Sequence, residues 1–276
     1  MLQWRVEVPD ELRRLAGQAG RPSPVHQALV TVAFPPGFEA GREWPVLLVN
    51  ATSDPGYQSS RALLAAYRSA ASAAGWVVLA ADPEPAVAQG DDALALRFAL
   101  GTLALAAIRP LWRDAAQAPL ALAGFSGGAK YAGWLSALFT RQGRRVAGVY
   151  LAGVNEDPLL LAAEQFGLLD EGFRGLPVFL QSGTRDTVAT PAQHRRLQTG
   201  LARAGFTRLK LVMVDRGHEV DASPLPEALA WFAEAWPQRF PAPPAAPASG
   251  VSSLPAAGRP LAGGKSIPKE TRHEQA

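Results

Sequence analysis

The chain has 276 residues, 48% of them hydrophobic and 18% charged, which is enough apolar sequence for one sizeable core and too much for a disordered protein. Its formal charge of +3 is not a nucleic-acid footprint: from Gln238 onward Arg239, Arg259, Lys265, Lys269 and Arg272 stand against Glu270 and Glu274, which accounts for the whole excess and leaves the body about neutral. The absence of cysteine excludes disulfides, a thiolate nucleophile and Cys-ligated metal.

The first residues, Met1-Leu-Gln-Trp-Arg-Val-Glu-Val-Pro-Asp10, place charges where an export signal needs an apolar core, so a cytoplasmic location is expected. Residues 1–20 read as a short strand and a polar helix, and Gln27 to Phe34 as a strand before the Pro35-Pro36-Gly37 turn. Pro45 to Asn50 is the next strand. After the polar loop Ala51 to Gln58 comes a helix capped by Ser59 or Ser60 and closed by Gly75, then a buried strand from Trp76 to Ala80. Asp91 and Asp92 are expected to open a long helix ending near Ile108, before Pro110. Its greasy part, Leu94 to Ile108, contains Arg97 and falls short of the roughly 20 residues of a membrane span. Leu120 to Ala123, Val146 to Leu151, Val178 to Gln181 and Leu209 to Val214 complete the strands, each with a helix following.

Continuous apolar strands separated by helices predict a mostly parallel sheet covered on both faces, an α/β fold whose chemistry lies beyond the carboxyl ends of the strands. That rule selects the loops Asn50 to Gln58, Gly124 to Gly128, Gly183 to Ala189 and Asp215 to Asp221. The domain is expected to span 1–237. The Pro/Ala-rich segment 238–276 has too little apolar content beyond alanine to offset the entropy of ordering it and is expected to be a disordered tail.

In the second of those loops, Gly124-Phe125-Ser126-Gly127-Gly128 joins a buried strand to a helix whose apolar face is Ala129, Ala132, Leu135 and Phe139. A serine on a sharp strand-to-helix turn with small neighbours is an exposed nucleophile, and the N–H groups of the helix start favour negative charge at the same spot. Of the four histidines, His26 precedes the body, His194 lies on a helix and His273 in the tail. His218 follows the strand Leu209 to Val214 and projects from the same sheet edge as Ser126, so it is the candidate base. Asp186, in Gly183-Thr-Arg-Asp-Thr-Val188, is the candidate for orienting that base, with Glu156 and Asp157 as rivals after the preceding strand.

The order Ser126, Asp186, His218, with Ser182-Gly-Thr-Arg-Asp186-Thr-Val-Ala-Thr-Pro, a helix, Gly205 to Val214 and then Gly217-His218-Glu219, resembles the α/β-hydrolase superfamily over about residues 25–237. Its compact carboxylesterase and dienelactone-hydrolase-like branch is the nearest likeness. Dienelactone hydrolases carry cysteine as nucleophile, so the esterase side of the branch is the closer one. The resemblance implies an α/β-hydrolase fold without a large lid domain, Ser126 as nucleophile, His218 as base and Asp186 as its acid. It also implies an oxyanion hole from the N–H groups of Gly127 and of Ala51 or Thr52. Members usually carry His-Gly in that loop, where this chain has Asn50-Ala51-Thr52-Ser53, and Asn50 has either a donor role through its amide or a bridging role.

Tyr57, Phe125, Trp134, Val188 and Glu219 are candidates for lining the substrate pocket, Trp134 with core as its competing reading, while Lys130 and Arg185 at the rim read as solvated. Only about 25 residues separate the strands ending at Leu151 and beginning at Val178, room for a helix and not for a lid. The activity expected is hydrolysis of a small-molecule or polymeric carboxylic ester without metal or organic cofactor, with no nucleic-acid partner. Acyl transfer, peptide cleavage, or an inactive scaffold used for binding are the alternatives on the same fold.

Overall fold

A computed structural model describes residues 1–234 apart from 19, 53–58 and 88–91, so the expected tail and its boundary lie outside the described residues. The strands are β1 (Leu2–Glu7), β2 (Gln27–Ala33), β3 (Val46–Asn50), β4 (Val77–Glu84), β5 (Leu120–Phe125), β6 (Val146–Ala152), β7 (Val178–Gly183) and β8 (Leu209–Val214). They form one sheet in the order β1-β2-β4-β3-β5-β6-β7-β8. β1 and β2 pair antiparallel, and every pairing from β4 through β3 to β8 is parallel.

The helices are α1 (Asp10–Leu15), α2 (Ser60–Ala73), α3 (Leu94–Ala107), α4 (Gly127–Arg141), α5 (Pro158–Phe166), α6 (Glu171–Arg174), α7 (Pro191–Arg203) and α8 (Leu225–Glu234). Side chains alternate across each strand, and both faces are covered, which is why the central strands read as unbroken apolar runs. Val46 and Leu48 of β3 enter the core shared with Leu103 of α3, Leu135 of α4, Leu159 of α5 and Leu201 of α7. Leu47 and Val49 enter the opposite core with Leu64 and Tyr67 of α2 and Leu229 and Phe232 of α8. Each such aliphatic side chain contributes about 1.5–3 kcal/mol of burial.

Two expectations from the sequence are corrected. β4 runs to Glu84 rather than Ala80, because β3 pairs only with its first residues while β2 pairs along its whole length, Ala33↔Val78 to Gln27↔Glu84. α3 begins at Leu94, and no side chain caps it; Asp92 instead forms a buried ion pair with Arg97, and Asp91 lies outside the described residues. Of the two candidate caps of α2, Ser59 is the cap, accepting from Ala62 N–H, and Ser60 is the buried first residue of the helix. Between β6 and β7 stand only α5 and α6, and no lid domain is inserted there. Among the described residues no helix is long and apolar enough to cross a membrane.

Candidate active site

β5 and α4 meet at Ser126, whose backbone sits at φ 53°, ψ −121°. It is the one non-glycine residue with positive φ among the described residues. Such a conformation costs about 1–3 kcal/mol and persists only where neighbours impose it. Here Ser126 N–H donates to Ala152 C=O at 2.8 Å, and Ser126 C=O accepts from Ala129 N–H at 3.0 Å and Lys130 N–H at 3.2 Å. The strand end of β6 and the first turn of α4 therefore clamp the serine from both sides. The turn closes because its glycines lack Cβ atoms: one at Gly124 would lie 2.1 Å from Gly128 O, and one at Gly128 would lie 2.1 Å from Asn50 O.

Three loops at the carboxyl edge of the sheet bring the predicted residues together. Ser126 Oγ lies 3.1 Å from His218 Nε2, and His218 Nδ1 lies 2.8 Å from Asp186 Oδ2. An ionised carboxylate only accepts, so Nδ1 carries the imidazole proton and Nε2 is left to accept the serine hydroxyl. The Phe125 ring packs against the imidazole at a centroid distance of 4.8 Å and is itself seated over Gly153. Asp186 is 3% exposed, and its second oxygen, Oδ1, accepts from the N–H groups of Val188 and Ala189, both at 2.8 Å. Burial pushes its pKa up, but the hydrogen bond from His218, the two backbone N–H groups and the His218 charge outweigh that and hold it below the ordinary carboxylate value. Asp186 thus stays an anion beside the imidazole.

The rival acids have other work. Asp157 caps α5, accepting from Leu159 and Leu160 N–H at 3.1 and 2.9 Å, and burial raises its pKa. Glu156 pairs with Lys130 at 2.9 Å. Arg185, at the rim, pairs with Asp215 at 2.9 Å in an exposed contact worth at most about 1 kcal/mol.

The two loop N–H groups named for an oxyanion hole are not equivalent. Ala51 is corrected: its N–H is turned inward and donates to Ser60 Oγ at 3.1 Å. Thr52 is the neighbour left facing α4, its Cγ2 occupying the space where a Gly127 side chain would begin, 2.4 Å from that position. Gly127 N–H stands at the first position of α4, where the helix itself supplies no acceptor. The Asn50 amide turns back to its own strand and donates to Leu48 C=O at 3.3 Å. Val188 is half exposed at the acid loop and Glu219 is exposed beside His218, whereas Trp134, partly buried, packs edge-on against Phe166 of α5 at the margin of the core. Tyr57 lies outside the described residues.

Sequence reasoning passed over His194. It is fully buried beneath the acid loop, with Nδ1 3.2 Å from Thr190 C=O and Nε2 accepting from Val154 N–H at 3.2 Å. It therefore ties the turn after β6 to α7, whose Thr190-Gln193 capping box starts one residue beyond Ala189. A histidine four residues past a Thr-Pro helix start was the available signal. Burial lowers its pKa, so the folded protein keeps it neutral. The unfolded chain takes up a proton there as pH falls below about 6.5, and stability accordingly declines with pH below that value. Urea unfolding is expected to show that decline between pH 7 and 5, and His194→Ala to flatten this part of the profile while costing about 1–3 kcal/mol at pH 7 for the stranded Val154 N–H.

No family model matches the chain, and no curated protein sequence matches it. Solved structures do. It superposes on fungal esterases from Rhizomucor miehei with a TM-score of 0.55 at 16% identity, over 84% of this chain and 83% of that one. An esterase from Pyrobaculum calidifontis gives 0.56 at 13% identity over 85% of both chains. A serine hydrolase without a lid from Xanthomonas campestris gives 0.53 at 18% identity, over 82% of this chain and 94% of that one. With the strand order, the strained serine between β5 and α4 and the short connection from β6 to β7, these likenesses show that the chain has the α/β-hydrolase fold.

Proposed function

We propose that the protein is a serine hydrolase that cleaves carboxylic esters through an acyl-enzyme. The observation that carries the reading is the relay Ser126 Oγ, His218 Nε2, His218 Nδ1, Asp186 Oδ2, with separations of 3.1 and 2.8 Å. His218 takes the hydroxyl proton as Ser126 Oγ attacks the ester carbonyl; the Oγ–C bond forms while the carbonyl π pair moves onto oxygen. Gly127 and Thr52 N–H hold that oxyanion. Collapse breaks the C–O bond to the alcohol, which leaves with the proton from His218. Water then gives a proton to His218, attacks the acyl carbonyl and releases the acid, returning the proton to Ser126. Asp186 holds the imidazole in the tautomer that each step needs and stabilises the imidazolium.

The similarity to esterases supports the same reading, and the short β6 to β7 connection leaves no room for a lid domain there. A graded series of p-nitrophenyl esters, acetate to palmitate, tests it. Saturable hydrolysis is expected, and the chain-length optimum reads the length of the acyl pocket. A folded protein that hydrolyses none of the series above the buffer rate would overturn the reading.

A further inference from the structure

Behind the loop that carries Thr52 lies a buried ionic cluster that the reaction does not touch. Arg97, 3% exposed and the only charged residue of the helix α3, forks onto Asp92 with Nε–Oδ1 at 2.6 Å and Nη2–Oδ2 at 2.8 Å. Its Nη1 donates to Ser60 Oγ at 3.3 Å and stands 3.7 Å from Asp82 Oδ1. Asp82, on β4, accepts from the N–H groups of Ser60 and Arg61, both at 2.9 Å, at the start of α2. Tyr131 of α4 closes the cluster, its hydroxyl bonded to Asp92 C=O and its ring over the Arg97 guanidinium. The group thus joins β4, α2, α3 and α4 at the carboxyl edge of the sheet.

We infer that Ser60, held by the Arg97–Asp92 pair, is a positioning residue for the oxyanion hole. Ser60 Oγ is the meeting point, accepting from Arg97 Nη1 and from Ala51 N–H. Those two donors fill its two lone pairs. With the Ala51 N–H held inward, the chain enters Thr52 from a fixed point, the Thr52 side-chain methyl packs on Gly127, and the backbone has little slack: a Cβ on Gly128 would stand 2.9 Å from Ala51 Cα. A buried ion pair is a weak source of stability compared with apolar packing of the same volume. What this one supplies is a fixed anchor under a backbone donor whose alignment the transition state needs. An arginine inside an apolar helix and a serine just after a capping serine are the sequence signs of it.

The inference rests on the serine-hydrolase reading, and the test separates the two. Wild type, Ser60→Ala and Arg97→Lys are compared by kcat and KM on p-nitrophenyl acetate and by inhibition with phenylboronic acid. That acid adds Ser126 Oγ to boron, the serine proton passing to His218, and forms a tetrahedral adduct with an oxygen in the hole. Removing a donor outright costs about 10²–10³ in kcat, so loosening one in Ser60→Ala is expected to lower kcat by about 10- to 100-fold. KM is expected to stay within about twofold, because acylation and deacylation use the same hole, and boronate affinity to fall with kcat. Arg97→Lys, which cannot fork to Asp92 and reach Ser60 together, is expected to show the same pattern. An active wild type with unaltered Ser60→Ala kinetics, or a kcat loss without loss of boronate affinity, would overturn the inference and leave the hydrolase reading standing. An inactive wild type would overturn that reading and the inference with it.

Discussion

Ser126→Ala is expected to lower kcat for ester hydrolysis by about 10⁵- to 10⁶-fold while leaving the fold intact. The loss is that large because His218 and Asp186 act only through the serine hydroxyl, 3.1 Å from His218 Nε2, and neither replaces it. Alanine keeps the unfavourable φ of 53°, so Ser126→Ala gains no relief from strain. Ser126→Gly does: glycine adopts that region freely, and the variant is expected to be inactive and more stable than wild type by about 1 kcal/mol. Urea midpoints of the three proteins check this. A destabilised Ser126→Gly would show that the turn stores no strain.

Asp186→Asn is expected to cost about 10⁴-fold in kcat with little change in KM. The amide is nearly the same shape, but its NH₂ group can donate to the imidazole where the carboxylate only accepts. Turned toward His218, it favours the tautomer with the proton on Nε2, which cannot take one from Ser126. The same change has a stability signature. The Asp186 pKa is held below its ordinary value of 3.8, so the anion's contribution is present above that pH and is lost as pH falls through and below it. Asp186→Asn, with no proton to gain there, is expected to be less stable than wild type at neutral pH and to lose less of its stability between pH 5 and 2. Stopped-flow or steady-state esterase assays and acid unfolding curves read the two effects independently.

The parts of the fold that were legible in the sequence are those set by local rules. β5 and α4 announce themselves by a buried apolar run followed by a helical face, and Gly124 and Gly128 mark the sharp turn between them. His218 and Asp186 were reachable because parallel strands deliver their following loops to one edge. What sequence could not give was direction within a loop. Ala51 and Thr52 are adjacent and chemically alike as backbone donors, and only the position of Ser60 Oγ decides which of them faces inward. Asp92 looked like a helix opener because acids favour helix starts, yet a guanidinium five residues on outcompeted the helix dipole. His194 lies on a helix, which in sequence marks it as neither ligand nor base, yet the buried end of that helix is where the acid loop is secured. In each of these cases a specific side-chain contact, and not the local preference, decided the outcome.

Active-site labelling tests the central claim most directly. A fluorophosphonate probe reacts by forming an Oγ–P bond with an activated serine and expelling fluoride, and the adduct is located by peptide mass spectrometry. Stoichiometric labelling of Ser126, lost in His218→Ala and blocked by excess ester, is the result expected from the relay of Ser126, His218 and Asp186. A folded protein that stays unlabelled, or that carries the phosphonate on a different serine, would contradict it.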